Sequence, residues 1–367
     1  MNCNKILCVE KKPKNLGKLF FGDTGKYHRI DRTYFEVFKK LAETSESNTW
    51  FMNEISYDKD RIGWERLPGN AQRMFKLNIT YQTLMDNGVP NIFFPLSEFV
   101  TDSWLSYLYS RIGTEEKIHS LSYSSGITQV FGEKGTEVLD LVYDDQLLKK
   151  RMEKEVYDSE NLLQFVYTNA EESDDFKRAI IVLLLRVFFL EGVKFPFSFF
   201  VSWTINKSYD NAIQGFSQLL KLIAWDEMTV HTTTGSRVLK YLRNDEEQGF
   251  SHLFKTQWYK DTVYQMAKET AELEMEWSRY LLKDGSIPGY NEEIGDHVIK
   301  YFTDQRLKEI SMDTIYNEKK SDIIDWYNDY RNLNRTSIAL QEADTLNYQK
   351  GKLKIDFEDY DWSRFLK

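Results

Sequence analysis

An all-α bundle of long helices is the expected architecture, and three features of the chain lead to it. Only 6 prolines and 18 glycines are spread over 367 residues, so long stretches lack the two strongest helix breakers. Apolar residues recur at helical spacing over segments longer than the average globular helix of about a dozen residues. Carboxylates and histidines sit at spacings that share one face of otherwise apolar helices, which is how a bundle builds a metal site in its core.

In chain order, helical periodicity covers 70–87, 98–125, 135–153, 158–170, 173–204, 208–245 with interruptions, 254–283 and 290–310. Turn signals separate several of these: Leu67-Pro68-Gly69-Asn70, Asn87-Gly88-Val89-Pro90, and the glycine- and proline-bearing run from Lys283 to Gly289. Neither an internal repeat nor a low-complexity linker divides the middle of the chain. The expected organisation is an N-terminal arm at 1–30, one helical domain at 31–330 and a flexible C-terminal tail at 331–367. The tail is polar and aperiodic and carries Trp362, Phe365 and Leu366 near its tip.

Composition excludes several function classes. A net charge of −9 with no concentrated basic face argues against nucleic-acid binding. Cys3 and Cys8 are the only cysteines and have no ligand spacing, and the first residues lack an apolar run of signal-peptide length. A reducing, cytoplasmic setting is therefore expected. Ile180 to Trp203 is long and apolar enough to raise the question of a membrane span, but it contains Arg186, Glu191 and Lys194. A buried central helix is expected instead, because a carboxylate is tolerated in a dry core when it binds a cation. The aromatic content of 15% indicates a large packed core and carries no functional weight by itself.

The chemistry concentrates in two segments. In SRIGTEEKIHSLSY, Glu116, His119 and Tyr123 stand at i, i+3 and i+7 on one helix face; Glu115, at i−4 from His119, is an alternative to Glu116. In LIAWDEMTVHTTTG, Glu227 and His231 stand at i and i+4. Glu191 in the apolar helix and Asp86 at the end of LNITYQTLMDN supply one carboxylate each from two more helices. Four carboxylates and two neutral imidazoles suit two divalent ions. The anionic oxygens offset the charge, and one imidazole per ion leaves positions open for dioxygen. A ligating imidazole usually donates its other N–H to a carboxylate, and Asp226 is the candidate. The other histidines, His28, His252 and His297, lack such settings and are expected at the surface or in packing.

With these residues in place, the chain resembles class I ribonucleotide reductase small subunits from about Trp50 to Tyr348. KLNITYQTLMDN resembles the segment with the family's aspartate ligand, and EEKIHSLSY the one with glutamate, histidine and radical tyrosine. LEGVKFPFSF resembles the helix with the next glutamate and its phenylalanine wall, and LIAWDEMTVHTTTG the one with the last glutamate and histidine. LLKDGSIPGYNEEI resembles a family loop beyond the site. The resemblance implies a ferritin-like helical bundle with a dimetal site in its core and extra peripheral helices. Asp86, Glu116 and His119 would surround one ion and Glu191, Glu227 and His231 the other, with Glu116 and Glu227 bridging. The ions would be two irons, with dimanganese also compatible.

The same resemblance implies a tyrosyl radical on Tyr123, in a pocket of Phe195, Phe199 and Ile223. It implies radical transfer through Trp50, Asp226 and His119, and through the tail residues Tyr348 and Glu342. It also implies a homodimer, docking of the tail on a large subunit that binds the nucleotide, and use of dioxygen with an electron donor. A ferritin-like di-iron oxidase or oxygenase acting on its own substrate is the alternative in another reaction class, and an iron-storage bundle is a further one. The chain departs from the family pattern in two places. One extra residue separates Glu227 from His231, which a π-bulge would absorb, and the DYDWSRFLK terminus would suit a particular large subunit. Pro196 lacks the N–H that would bond to Gly192, so the helix carrying Glu191 is expected to be distorted there.

Overall fold

The chain folds as a succession of helices, with no β-strand among the described residues, in a computed structural model that describes residues 17–22, 30–152, 160–161, 164–165 and 172–332. α1 (Glu36–Ser47) and a short α2 (Asp58–Trp64) precede α3 (Gly69–Gly88), α4 (Pro90–Phe99), α5 (Ser103–Phe131) and α6 (Gly135–Asp144). α7 (Asp174–Phe189) runs through a π-helical turn, Leu190–Lys194, into α8 (Phe195–Ser208). α9 (Gln214–Trp225) likewise runs through a π-helical turn, Asp226–His231, into α10 (Thr232–Asn244). α11 (Ser251–Phe254), α12 (Gln257–Leu281), α13 (Glu292–Glu309) and α14 (Asp322–Tyr330) follow. One compact unit ends at Arg331; of the second, Asn332–Lys367, only Asn332 is among the described residues.

α5 is the spine of the site. Its inward stripe reads Leu105, Tyr109, Ile112, Glu116, His119, Tyr123, Ile127 and Val130, all buried, at steps of three and four residues. This helix packs against α1, α3, α4 and α9, while α8 packs against both α3 and α9. The two π-helical turns touch each other. Gly126 permits one close approach: a Cβ there would lie 2.7 Å from the Tyr57 ring, whose hydroxyl donates to Ser122 O at 3.3 Å.

Two expected helices are shorter in the structure. The expected 98–125 helix is broken, because α4 stops at Phe99 and α5 begins at Ser103. Between them Thr101 N donates to Leu19 O, and Asp102 caps α5 by accepting from Leu105 N at 2.8 Å. α6 ends at Asp144 rather than near 153; Asp145 leaves helical geometry and accepts from Leu148 N at 2.9 Å, so a new helical turn starts there. Most of 158–170 lies outside the described residues. α1, α2, α4 and α14 carry helix that the periodicity did not mark, three of them in pieces of ten residues or fewer. At Val89–Pro90 the expected turn is only a kink: Val89 keeps helical angles, and Pro90 opens α4 without a donor for the preceding ladder.

The segment from Ile180 to Trp203 lies in the core as part of α7, the π turn and α8, and no helix among the described residues is long and apolar enough to cross a membrane. Because Asp102 sets where α5 begins, Asp102→Ala is expected to lower stability by about 1 kcal/mol in denaturant unfolding. An unchanged midpoint would show that the cap contributes nothing.

Candidate metal centre

Asp86 lies in the last turn of α3, Glu116 and His119 on α5, Glu191 in the first π turn, and Glu227 and His231 in the second. All six are buried, five of them at 0% exposure and His231 at 3%. They form two overlapping groups: Asp86, Glu116, His119 and Glu227; and Glu116, Glu191, Glu227 and His231. Within each group the candidate ligand atoms lie within 4.8 Å of one another.

The orientation of each oxygen matters. His119 Nδ1 faces Glu227 Oε1 at 3.4 Å, Glu116 Oε2 at 3.6 Å and Asp86 Oδ2 at 3.7 Å. His231 Nδ1 faces the opposite oxygens, Glu116 Oε1 at 3.1 Å and Glu227 Oε2 at 3.3 Å, with Glu191 Oε2 at 3.6 Å. Glu116 and Glu227 thus each offer one oxygen to either end, as bridging carboxylates do. The imidazole rings stand 6.0 Å apart, inclined by 22°.

None of these donor atoms is satisfied by the chain. Both oxygens of Asp86, Glu116, Glu191 and Glu227, and Nδ1 of both histidines, are buried without a hydrogen-bond partner. Unpartnered buried anions are costly, and a set of oxygens with two imidazoles is what hard divalent ions coordinate. The residues therefore fit a pair of metal ions.

The two π turns place these donors. In the second, Thr232 N bonds back five residues to Glu227 O, and this wider turn takes up the extra residue between Glu227 and His231. In the first, Phe195 N bonds to Leu190 O, and Pro196 follows with no N–H to restore the α pattern. The distortion expected beside Glu191 is present.

Each histidine has an outer carboxylate. His119 Nε2 lies 3.1 Å from Asp226 Oδ2, the same oxygen that accepts from Trp50 Nε1 at 2.8 Å, and the indole stacks on the imidazole at 5.7 Å and 8°. His231 Nε2 lies 3.1 Å from Glu115 Oε2. Glu115 Oε1 accepts a short bond from Ser45 Oγ and pairs with Arg111 Nε at 3.3 Å. Of the pair at 115–116, Glu115 has its oxygens occupied by the chain, whereas both Glu116 oxygens are unpartnered and belong to the candidate donor groups. Sequence reasoning did not find the Glu115–Ser45 pair, because Ser45 is on α1, outside every segment with a recognisable motif. Glu115 and Asp226 also line one cavity of about 10 Å³, room for about one water.

Tyr123 is fully buried and its hydroxyl has no partner. Burial raises its pKa well above the ordinary phenol value, and the Asp86, Glu227 and Glu116 carboxylates raise it further. Phe195, Phe199 and Ile223 are buried, and the two phenylalanine rings lie 6.2 Å apart. His252 pairs with Asp174 at the surface, and His297 with Glu318 and Ser321. His28, Glu342 and Tyr348 lie outside the described residues. A larger cavity of about 180 Å³ lies between α7 and α12, and none of the six donors lines it.

The electrostatics follow the geometry. Burial disfavours the charged form of His119, but Asp226, Glu116 and Glu227 outweigh it and its pKa rises well above the usual value. His231 is raised in the same way, against burial, by Glu227, Glu115 and Glu116. Asp86 is raised by burial and then by the Glu116 and Glu227 charges, whereas Glu116 is lowered because the two histidines overcome its burial.

A sequence profile of the family described as ribonucleotide reductase, small chain, matches residues 30–322. The ribonucleoside-diphosphate reductase subunit beta of Buchnera aphidicola subsp. Schizaphis graminum is 27% identical over 384 residues, 97% of this chain and 98% of that protein. The ribonucleoside-diphosphate reductase 1 subunit beta of Salmonella typhimurium is 25% identical, with 95% of each covered. Among solved structures, the ribonucleotide reductase R2 subunit from Clostridium botulinum superposes with a TM-score of 0.79 at 21% identity, covering 91% of this chain and 99% of that one. The dimanganese(II)-NrdF of Streptococcus sanguinis superposes at 0.64 and 18% identity, covering 83% and 99%. At these identities the two structures speak for the fold.

Without metal, the raised pKa values of His119, His231 and Asp86 keep protons on groups that must be free of them to ligate. Metal binding is therefore expected to release protons and to tighten as pH rises. Calorimetric titration with Mn(II) in buffers of different ionisation enthalpy should show about two or more protons released per pair of ions. Proton-neutral binding would contradict the arrangement.

Proposed function

This chain belongs to the ribonucleotide reductase small-chain family, and on that premise we propose that it generates and stores the tyrosyl radical of a ribonucleoside-diphosphate reductase as its beta subunit. The observation that carries this reading is the pair of overlapping donor groups sharing Glu116 and Glu227, each glutamate turning one oxygen to either end. Asp86, Glu116, His119 and Glu227 would hold one divalent ion and Glu116, Glu191, Glu227 and His231 the other. Iron is the expected metal, and the oxygen-rich set accepts manganese as well. When bound, the pair of ions would supply the reduction of dioxygen to water, giving two of the four electrons, with Tyr123 giving one and an external donor the last.

The chain's own residues account for the rest. Tyr123 must lose a proton with its electron, because burial and the nearby Asp86, Glu227 and Glu116 carboxylates oppose a free phenolate at this position. Its ring lies in a core with no exposure to solvent, among helices that also bury Phe195, Phe199 and Ile223, so reductants are kept away. Trp50, 4% exposed and followed by the half-exposed Phe51, is the last buried residue before the surface. Its N–H and His119 Nε2 converge on one oxygen of Asp226, so an oxidising equivalent can pass the indole with its proton held by Asp226.

Nucleotide chemistry belongs to the large subunit that the family implies. In this reading the chain is a cytoplasmic homodimer, its tail docks on that subunit, and Tyr348 with Glu342 completes the transfer. The division into arm, helical domain and tail serves the same purpose: the 31–330 domain holds the radical and the 331–367 tail reaches the partner.

Addition of ferrous iron and dioxygen to the metal-free chain should produce a tyrosyl signal in electron paramagnetic resonance. Tyr123→Phe should abolish that signal without changing metal uptake. Reduction of ribonucleoside diphosphates should require the large subunit and should be lost in Trp50→Phe. A chain that takes up iron or manganese without forming the radical, or a signal that survives Tyr123→Phe, would defeat the reading.

A further inference from the structure

Glu115 precedes a proposed bridging ligand and borders the donor cluster, yet it belongs to neither donor group. Its oxygens are taken up within the chain. Oε2 faces His231 Nε2 at 3.1 Å, and Oε1 accepts from Ser45 Oγ and meets Arg111 Nε at 3.3 Å. Arg111 Nε also donates to Ser45 Oγ at 2.8 Å, and Arg111 Nη2 donates to Thr49 Oγ1. α1 packs against both α5 and the second π turn, so Ser45 ties these elements together at the point where His231 is held. A carboxylate has only acceptors to offer, so Nε2, facing Glu115, keeps its proton, and Nδ1, facing Glu116, Glu191 and Glu227, is the nitrogen that a metal ion placed among those oxygens would take.

We infer that Glu115 is the positioning residue of His231: clamped by Ser45 and Arg111, it fixes the tautomer and ring orientation that present Nδ1 to the second metal position. The inference rests on the proposed role of His231 as a metal ligand. The two ends of the centre are thereby mounted differently. Asp226, behind His119, receives the neutral Trp50 indole and so joins the route to the surface. Glu115, behind His231, is held instead by a cation and a serine. Loss of Glu115 should therefore weaken one metal position and leave the other intact.

The test titrates the full-length metal-free chain with Co(II) against a competing chelator, following the visible absorption of each ion. The unaltered chain should bind two ions. In Glu115→Ala one ion should bind as before, and the other about 10- to 100-fold more weakly with a changed absorption band. Glu115→Gln, which keeps an acceptor oxygen, should lose less. Ser45→Ala, which removes the Oγ bonds to Glu115 and Arg111 and leaves Glu115 itself in place, should shift the same position in the same direction, and so gives a reading even if Glu115→Ala misfolds. Two ions bound by Glu115→Ala with unaltered affinities and spectra would overturn the inference. So would equal weakening of both positions alongside a lowered melting temperature, which marks a general structural role. Fewer than two ions in the unaltered chain would instead overturn the dimetal reading itself, and this inference with it.

Discussion

Four carboxylates and two imidazoles are brought together at near-zero exposure with their inward atoms unpartnered, and this charge cluster is the constraint around which the rest of the fold is arranged. Such an arrangement is unfavourable by itself, since buried like charges repel and each ion has lost its hydration. It persists because the surrounding helices are long and apolar, and because every outward-facing nitrogen of the cluster meets a carboxylate. The folding free energy of the core is in effect used to hold a cation site open, a common relation between stability and function.

The α-helix, with its fixed angular step, does not by itself direct all six side chains inward. Two π turns make the adjustment, one at Glu191 and one spanning Glu227 to His231, and they pack on each other. Their origins differ. Pro196 denies the first helix a donor, while the second carries a residue more than the family spacing and widens to keep α10 in phase with the core. Both are local departures from regular helix placed where the donors are, as π-bulges at functional sites tend to be.

Much of this was legible in the sequence. The i, i+3, i+7 spacing of Glu116, His119 and Tyr123 specifies one face of one helix, and the structure puts that face against the helices bearing Asp86, Glu191, Glu227 and His231. The distortion at Pro196 was legible because a missing N–H is a property of the residue itself. Other features depend on long-range contacts that no local pattern encodes. Glu115 and Glu116 are indistinguishable by spacing alone, and only the approach of α1, with Ser45, decides which one is occupied. The break before α5 was hidden because Asp102 reads as an ordinary polar residue until Thr101 is seen bonded to Leu19. Short helices such as α2 and α14 have too few turns for periodicity to register. The proposed transfer residues Tyr348 and Glu342 lie outside the described residues and rest on resemblance.

The most direct test of the account is anomalous diffraction at the iron and manganese edges from crystals of the metal-loaded chain. The account predicts two peaks per chain, one bonded by Asp86 and His119, the other by Glu191 and His231, with Glu116 and Glu227 reaching both. A single peak, or peaks away from these six side chains, would contradict it.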